Sequence, residues 1–101
     1  MLRSLFGLQP KVDLGQILKD GATILDVRTP GEYAEGHVKG SVNIPLDKLE
    51  QQLKKIPAGK PVITVCRSGM RSGQAMQMLK AHGFDVHNGG PWTSVNTLVA
   101  R

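Results

Sequence analysis

The feature that most constrains the fold is a short β-branched run that ends at a cysteine and leads into a helical pattern. Residues 61–65, Pro-Val-Ile-Thr-Val, are typical of a buried strand. Cys66 follows, and the glycine-containing loop Cys66–Arg71 leads into a segment whose apolar residues have helical spacing. Other short β-type runs alternate with helical patterns, which predicts βα units and a mostly parallel sheet. The 101 residues suffice for one such domain.

The same patterns predict four strands and five helices. The strands are expected at residues 22–27, 41–44, 61–65 and 84–87, with residues 88–91 as a loop and residues 1–10 as a tail before a single domain over 11–101. Helices are expected to begin at Asp13, with Gln16 as its reciprocal capping partner, and at Thr29, with Glu32 completing a capping box. Apolar faces predict the other three, at Leu46, Leu49, Leu53 and Ile56, at Ala75, Met78, Leu79 and His82, and at Val95, Leu98 and Val99.

Charge and composition exclude several classes of function. The net charge is +5, but the basic residues are dispersed and aromatic residues make up 4%, so the sequence lacks the basic stripe and stacking platform of nucleic-acid-binding proteins. No apolar run approaches the roughly 20 residues of a membrane span. We therefore expect a monomer without nucleic-acid or membrane partners, whose charge attracts a small anionic substrate. No histidine has metal-ligand spacing from the cysteine or an acid, so no metal or cofactor is expected.

The lone cysteine and the first residues bear on location. One cysteine forms no internal disulfide, which favours a reducing compartment and leaves a thiol for chemistry. Residues 1–8 lack the long apolar stretch and small-residue cleavage site of a secretory signal. We expect a cytoplasmic protein, although a leader already removed would leave no mark on this sequence.

Cys66 is the candidate nucleophile. An ordinary thiol has a pKa of about 8.5, and a helix N-terminus with Arg67 and Arg71 nearby would lower it. Where a strand turns into a helix, successive N–H groups can converge on one point, and Gly69 permits the dihedral angles that this needs. Ser68 adds a hydroxyl donor. We expect an open, amide-lined bowl that holds a thiolate and an anion bound to it, with space for one extra sulfur atom.

Two chemistries fit such a loop: attack on phosphorus and attack on sulfur. Protein tyrosine phosphatases have a His-Cys pair and five residues between the cysteine and the arginine. Here Val65 precedes Cys66, and four residues separate Cys66 from Arg71. The shorter loop favours attack on sulfur, and a phosphatase or arsenate reductase remains as a less favoured alternative.

At this point the chain resembles the rhodanese family of sulfurtransferases. Residues 26–45, from Asp-Val-Arg to Asn-Ile-Pro, are similar to the family's amino-terminal signature. The segment Cys66–Ser72 is similar to its active-site loop with the serine that follows, and Gly89-Gly90 to its late glycine pair. The family often has a tryptophan a few residues after this glycine pair. Here Trp92 follows Gly90 by only two residues.

The resemblance implies an α/β domain of three layers, with a mostly parallel five-stranded sheet and helices on both faces. It implies that Cys66 takes the outer sulfur of thiosulfate as a persulfide and passes it to cyanide, a thiol or a protein cysteine. The substrate-binding residues would be Arg67, Ser68, Gly69, Met70 and Arg71, with Ser72 in support. The alternative is a sulfur-relay or binding module that uses a protein donor or acceptor and has little activity on thiosulfate.

Other polar residues have both a functional and a structural interpretation. Asp26 and Arg28 lie at the same predicted sheet edge as Cys66, where they brace the site or form a structural ion pair, which we favour. His37 is expected to be structural, His82 partly buried and Trp92 packed at the core or rim. Met70 is expected at the mouth of the pocket.

Overall fold

Parallel strand pairing organises the chain. The computed structural model describes residues 12–100, and its sheet has the strand order β2-β1-β3-β4, all parallel. The strands are β1 (Thr23–Asp26), β2 (Val42–Asn43), β3 (Val62–Cys66) and β4 (Val86–Pro91). The helices are α1 (Leu14–Lys19), α2 (Pro30–Glu35), a 3-10 helix (Leu46–Lys55), α3 (Met70–Ala81) and α4 (Trp92–Val99).

The predicted α/β class is confirmed, but the strand count implied by the resemblance is wrong for this part of the chain. The described residues contain four strands rather than five, at the four places that the residue patterns predict. The stretch between Val12 and β1 is helical because Asp13 caps α1, so it adds no strand. The predicted tail, residues 1–10, lies outside the described residues.

The core lies on both faces of the sheet. Alternation along β3 directs Val62 and Cys66 to one face and Ile63 and Val65 to the other. The first face packs against the 3-10 helix and α3, and the second against α1 and α4. Cys66 therefore ends a buried strand on the side of the helix that follows it.

The predicted helix starts are confirmed, with one difference in detail. Asp13 accepts a hydrogen bond from the Gln16 N–H, but the Gln16 side chain donates to Asp20 instead of returning to Asp13. At α2, Thr29 Oγ1 accepts from the Glu32 N–H, and the Glu32 carboxylate accepts from the Thr29 N–H. This reciprocal capping box fixes the position of Glu32.

The third helix is of the 3-10 type, with non-helical dihedral angles at Gln52. Leu46 and Leu49, and likewise Leu53 and Ile56, are three residues apart, so a helix of three residues per turn places each pair on one side. The kink at Gln52 lies between the two pairs, and all four side chains contact the core.

The prediction of a loop at residues 88–91 is wrong. These residues extend β4, whose pairing with β3 shifts register so that Thr64 pairs with Asn88 and Val65 with Gly90. Gly89 is the extra residue of this bulge. A Cβ atom there would lie 2.7 Å from Cγ2 of Ile63, so only glycine lets β4 lie this close to β3.

The exposure of His82 is one point on which the structure differs from the prediction. His82 is exposed at the end of α3, contrary to the predicted partial burial, and its Nε2 lies 3.7 Å from Glu50 Oε2. Within residues 12–100, no helix combines the length and apolar character that crossing a membrane requires.

Candidate functional site

The Cys66 sulfur lies at the carboxyl end of β3, beneath the first turn of α3. The Gly69 N–H donates a hydrogen bond to Sγ at 2.9 Å, and Ser72 Oγ lies 3.3 Å from the same atom. Gly69 has a φ of 107°, in the left-handed region that glycine adopts without strain, and this conformation aims its N–H at the sulfur. The predicted convergence of amide donors on the thiol is therefore present in the loop.

The pKa of the Cys66 thiol reflects opposing effects. Burial raises it, and hydrogen bonds from the Ser72 hydroxyl and from the backbone N–H groups of Ser72, Gly69 and Ser68 lower it by more, so the net pKa lies below the ordinary thiol value. The predicted direction holds, and the donors are the predicted backbone amides together with the Ser72 hydroxyl. Ser72 is buried and was expected only to support the site, yet its hydroxyl contacts the sulfur directly.

The expectation of an open bowl is wrong for this conformation. Cys66 has no exposed surface. The residues above it differ: Arg67, Ser68 and Met70 are exposed, and Met70 has 76% of its surface accessible at the predicted pocket mouth. The sulfur is thus buried although three neighbouring residues are exposed.

Arg71 is engaged by Glu32, which the sequence predicts as a member of the α2 capping box. Its Nη1 and Nη2 donate to Glu32 Oε1 and Oε2 at 2.7 and 2.9 Å. Arg71 and the Thr29 amide hold the pKa of Glu32 at about 2, and the hydrogen bond to Glu32 raises the pKa of Arg71. Both groups are therefore charged at neutral pH, and the cation that was expected to hold substrate has a carboxylate partner.

Asp26 and Arg28 form a buried ion pair, as the structural interpretation predicts. Arg28 Nε and Nη2 donate to the Asp26 carboxylate at 2.9 and 2.8 Å. The remaining donors of the guanidinium reach the carbonyl oxygens of Gly36 and Glu32, and its carbon lies 4.9 Å from the centre of the Trp92 ring. The pair joins β1 to α2 and α4 behind the loop.

Asn88 is a second residue that the sequence analysis missed, because it was assigned to a loop. Its Nδ2 donates to the Gly69 carbonyl at 3.3 Å, and its Oδ1 accepts from the Gly90 N–H at 2.9 Å. The β4 bulge thereby holds the glycine that contacts the sulfur. A glycine pair after a short β-type run is the one signal that could have indicated this bulge.

The histidines take structural positions. His37 stacks on Tyr33 with ring centroids 3.7 Å apart, and its Nδ1 contacts the Tyr33 carbonyl. His87 pairs with Asp85 at 3.2 Å. Among residues 12–100, no three His, Cys, Asp or Glu side chains cluster as ligands of a metal ion would.

Comparison with known proteins decides the family. The model of the rhodanese-like domain matches residues 11–90. The chain belongs to the rhodanese-like sulfurtransferase family. Thiosulfate sulfurtransferase PspE of Escherichia coli is 36% identical over 69 residues, which are 65% of this chain and 66% of PspE. The putative sulfur carrier protein YrkF of Bacillus subtilis is 36% identical over 81 residues, 80% of this chain and 42% of YrkF.

A solved structure supports the same assignment for the fold. Human single-domain sulfurtransferase TSTD1 superposes with a TM-score of 0.69 at 30% identity, over 85% of this rhodanese chain and 94% of TSTD1. The chain spans about half the length of the two B. subtilis relatives at 44% and 36% identity, 54% and 42% respectively.

Proposed function

We propose that this rhodanese transfers sulfane sulfur from thiosulfate through a persulfide on Cys66. The thiolate attacks the outer sulfur of thiosulfate, a new S–S bond forms at Sγ, and the S–S bond of thiosulfate breaks with its electron pair leaving on sulfite. A nucleophile such as cyanide or a thiolate then takes the terminal sulfur and restores the Cys66 thiolate. Each step is a substitution at sulfur that needs no outside oxidant or reductant.

One observation carries the proposal: a single sulfur at the start of α3 accepts a hydrogen bond from the Gly69 N–H and lies 3.3 Å from Ser72 Oγ, and its pKa is lowered. Such donors stabilise the attacking thiolate and, after transfer, the charge on the terminal sulfur. The attack on thiosulfate starts from a reduced Cys66, and a reducing, cytoplasmic setting would keep the thiol in that state.

The covered state of Cys66 defines one step of this mechanism. Thiosulfate contacts Sγ only after Ser68, Gly69 and Met70 move away from it, and the exposed positions of Ser68 and Met70 permit that movement. After transfer, the terminal sulfur of the persulfide lies beside the loop amides, which in the free protein donate to Sγ alone. The loop therefore opens for the donor and closes around the product.

The test is the intact mass of the protein after incubation with thiosulfate. We expect a gain of ~32 Da, one sulfur atom on the nucleophile, that cyanide removes. The Cys66→Ser variant, whose hydroxyl is not nucleophilic here, is the control and should gain nothing. A wild-type mass that stays constant, together with turnover of a phosphate ester, would replace this proposal with phosphatase chemistry.

A sulfur-relay role is the second candidate. YrkF is described as a putative sulfur carrier, and this chain presents a cation and an apolar side chain, Arg67 and Met70, on its exposed loop. These suit contact with a protein that donates or accepts sulfur. Sulfur loading much faster from a persulfidated protein than from thiosulfate would favour the relay, and the reverse order would favour the small-molecule enzyme.

A further inference from the structure

The pairing of Arg71 with Glu32 leaves the loop with less positive charge than its sequence indicates. A guanidinium recognises a carboxylate or phosphate through two parallel N–H donors, and Glu32 occupies the two Nη groups of Arg71 in this way. Arg28 is likewise neutralised by Asp26. Among residues 12–100, Arg67 is the loop arginine without a carboxylate within 4.0 Å.

The Glu32 carboxylate is held from two sides. Oε1 accepts from the Thr29 N–H at 3.0 Å and from Thr29 Oγ1 at 3.2 Å, in addition to its bond from Arg71. Side-chain exposure is 26% for Glu32 and 34% for Arg71, so both charges lie at the rim of the site. Because the capping box fixes the carboxylate, an incoming anion has to displace a positioned partner to reach the guanidinium.

We propose that Glu32 is a specificity-determining residue of the Cys66 site, which occupies the two Nη groups of Arg71 and thereby keeps inorganic phosphate from binding within the loop. This inference rests on the proposed sulfur transfer and concerns the same loop. A phosphate in the loop needs donors for several oxygens at once, and the Glu32 charge repels it. The sulfane end of thiosulfate needs only the amides around Cys66, because its sulfonate remains outside, on the side of the exposed Arg67.

The test is phosphate binding measured without turnover. Alkylation of Cys66 by iodoacetamide is followed by mass at increasing inorganic phosphate, and the protection gives the dissociation constant. For Glu32→Gln, which keeps an oxygen for the Thr29 amide, we expect phosphate to bind at least about tenfold more tightly than in wild type, as for release of a bidentate pair.

Two matched variants separate this from general effects. Glu35→Gln removes the same charge from an exposed position of α2, and Thr29→Ala weakens the cap while leaving the ion pair. Glu35→Gln should bind phosphate as wild type does, and Thr29→Ala, which loosens the Glu32 carboxylate, should tighten phosphate binding by less than Glu32→Gln does. Equal phosphate affinity in Glu32→Gln and Glu35→Gln would overturn the proposal, because charge alone would then explain it.

A further variant covers failure of Glu32→Gln to fold. Glu32→Asp keeps the charge but is one methylene shorter, so it releases Arg71 and should also tighten phosphate binding; unchanged binding would overturn the proposal. Absence of sulfur loading in the wild type would refute the proposed function instead, and the phosphate measurements do not depend on it.

Discussion

At the residue scale, hydrogen bonds are the main cause of the lowered pKa of Cys66. The Ser72 hydroxyl is the side-chain donor, and the amides of Ser72, Gly69 and Ser68 are the others. The sequence analysis found the nucleophile because a lone cysteine between a strand and a helix is distinctive. The lowered pKa was predicted from the helix N-terminus and from Arg67 and Arg71, and the structure adds the Ser72 hydroxyl, whose direction a sequence does not show.

The role of Ser72 leads to the first prediction. Ser72→Ala removes a donor to the thiolate, so the pKa of Cys66 should rise and iodoacetamide alkylation at neutral pH should slow by roughly tenfold, as for a hydrogen bond to a charged group. The rate is measured across pH by mass spectrometry. Ser68→Ala is the control, since Ser68 contributes its backbone N–H, and should leave the profile in place. Equal profiles for Ser72→Ala and wild type would contradict this account.

The buried Asp26–Arg28 pair gives a second prediction, for stability. Arg28→Ala leaves the Asp26 carboxylate buried without its partner, and we expect the free energy of unfolding to fall by about 3–5 kcal/mol. Urea unfolding, followed by the fluorescence of Trp92, the single tryptophan, provides the measurement. The exposed Arg67→Ala should cost about 0.5 kcal/mol or less. A similar loss in both variants would show that burial of the pair is unimportant.

At the element scale, the sequence predicts where strands and helices begin better than how they pair. The capping boxes and apolar faces are local, so Asp13 and Thr29 mark helix starts correctly. The segment 88–91 carries two glycines and a proline, which are local turn signals, but parallel pairing with β3 overrides them. The close contact of Gly89 with Ile63 joins two strands that are distant in sequence, so the glycine pair is the one local signal of the bulge.

Gly89 tests this tertiary origin of β4. In Gly89→Ala the new Cβ would lie 2.7 Å from Ile63 Cγ2 and 2.9 Å from Val95 Cγ2, and we expect a loss of about 1–3 kcal/mol, as for overpacked cores. Gly31→Ala is the matched control, because its Cβ meets nothing within 4 Å and alanine favours the helix by about 0.5–1 kcal/mol. Urea midpoints that do not differ between the two variants would contradict the packing explanation.

At the scale of the whole molecule, the Glu32–Arg71 pair connects two halves of the chain that the sequence treats separately. The capping box belongs to α2, after β1, and the arginine belongs to the first turn of α3, 39 residues further on. The sequence analysis identified both residues, but their contact follows from the order of strands in the sheet. Parallel pairing of β1 with β3 brings the two carboxyl ends to one edge, where α2 and the loop meet.

This connection predicts how the stability of the whole domain depends on pH. The pKa of Glu32 is lowered from 4.5 to about 2 on folding, so the folded state favours the carboxylate. Its stabilisation is complete above pH 4.5 and is lost as the pH falls towards 2. Urea unfolding of wild type and Glu32→Gln should therefore differ at pH 7 and converge near pH 2. Glu35→Gln, exposed on the same helix, should track wild type throughout. A difference between wild type and Glu32→Gln that stays constant down to pH 2 would mean that the charge of Glu32 does not stabilise the fold.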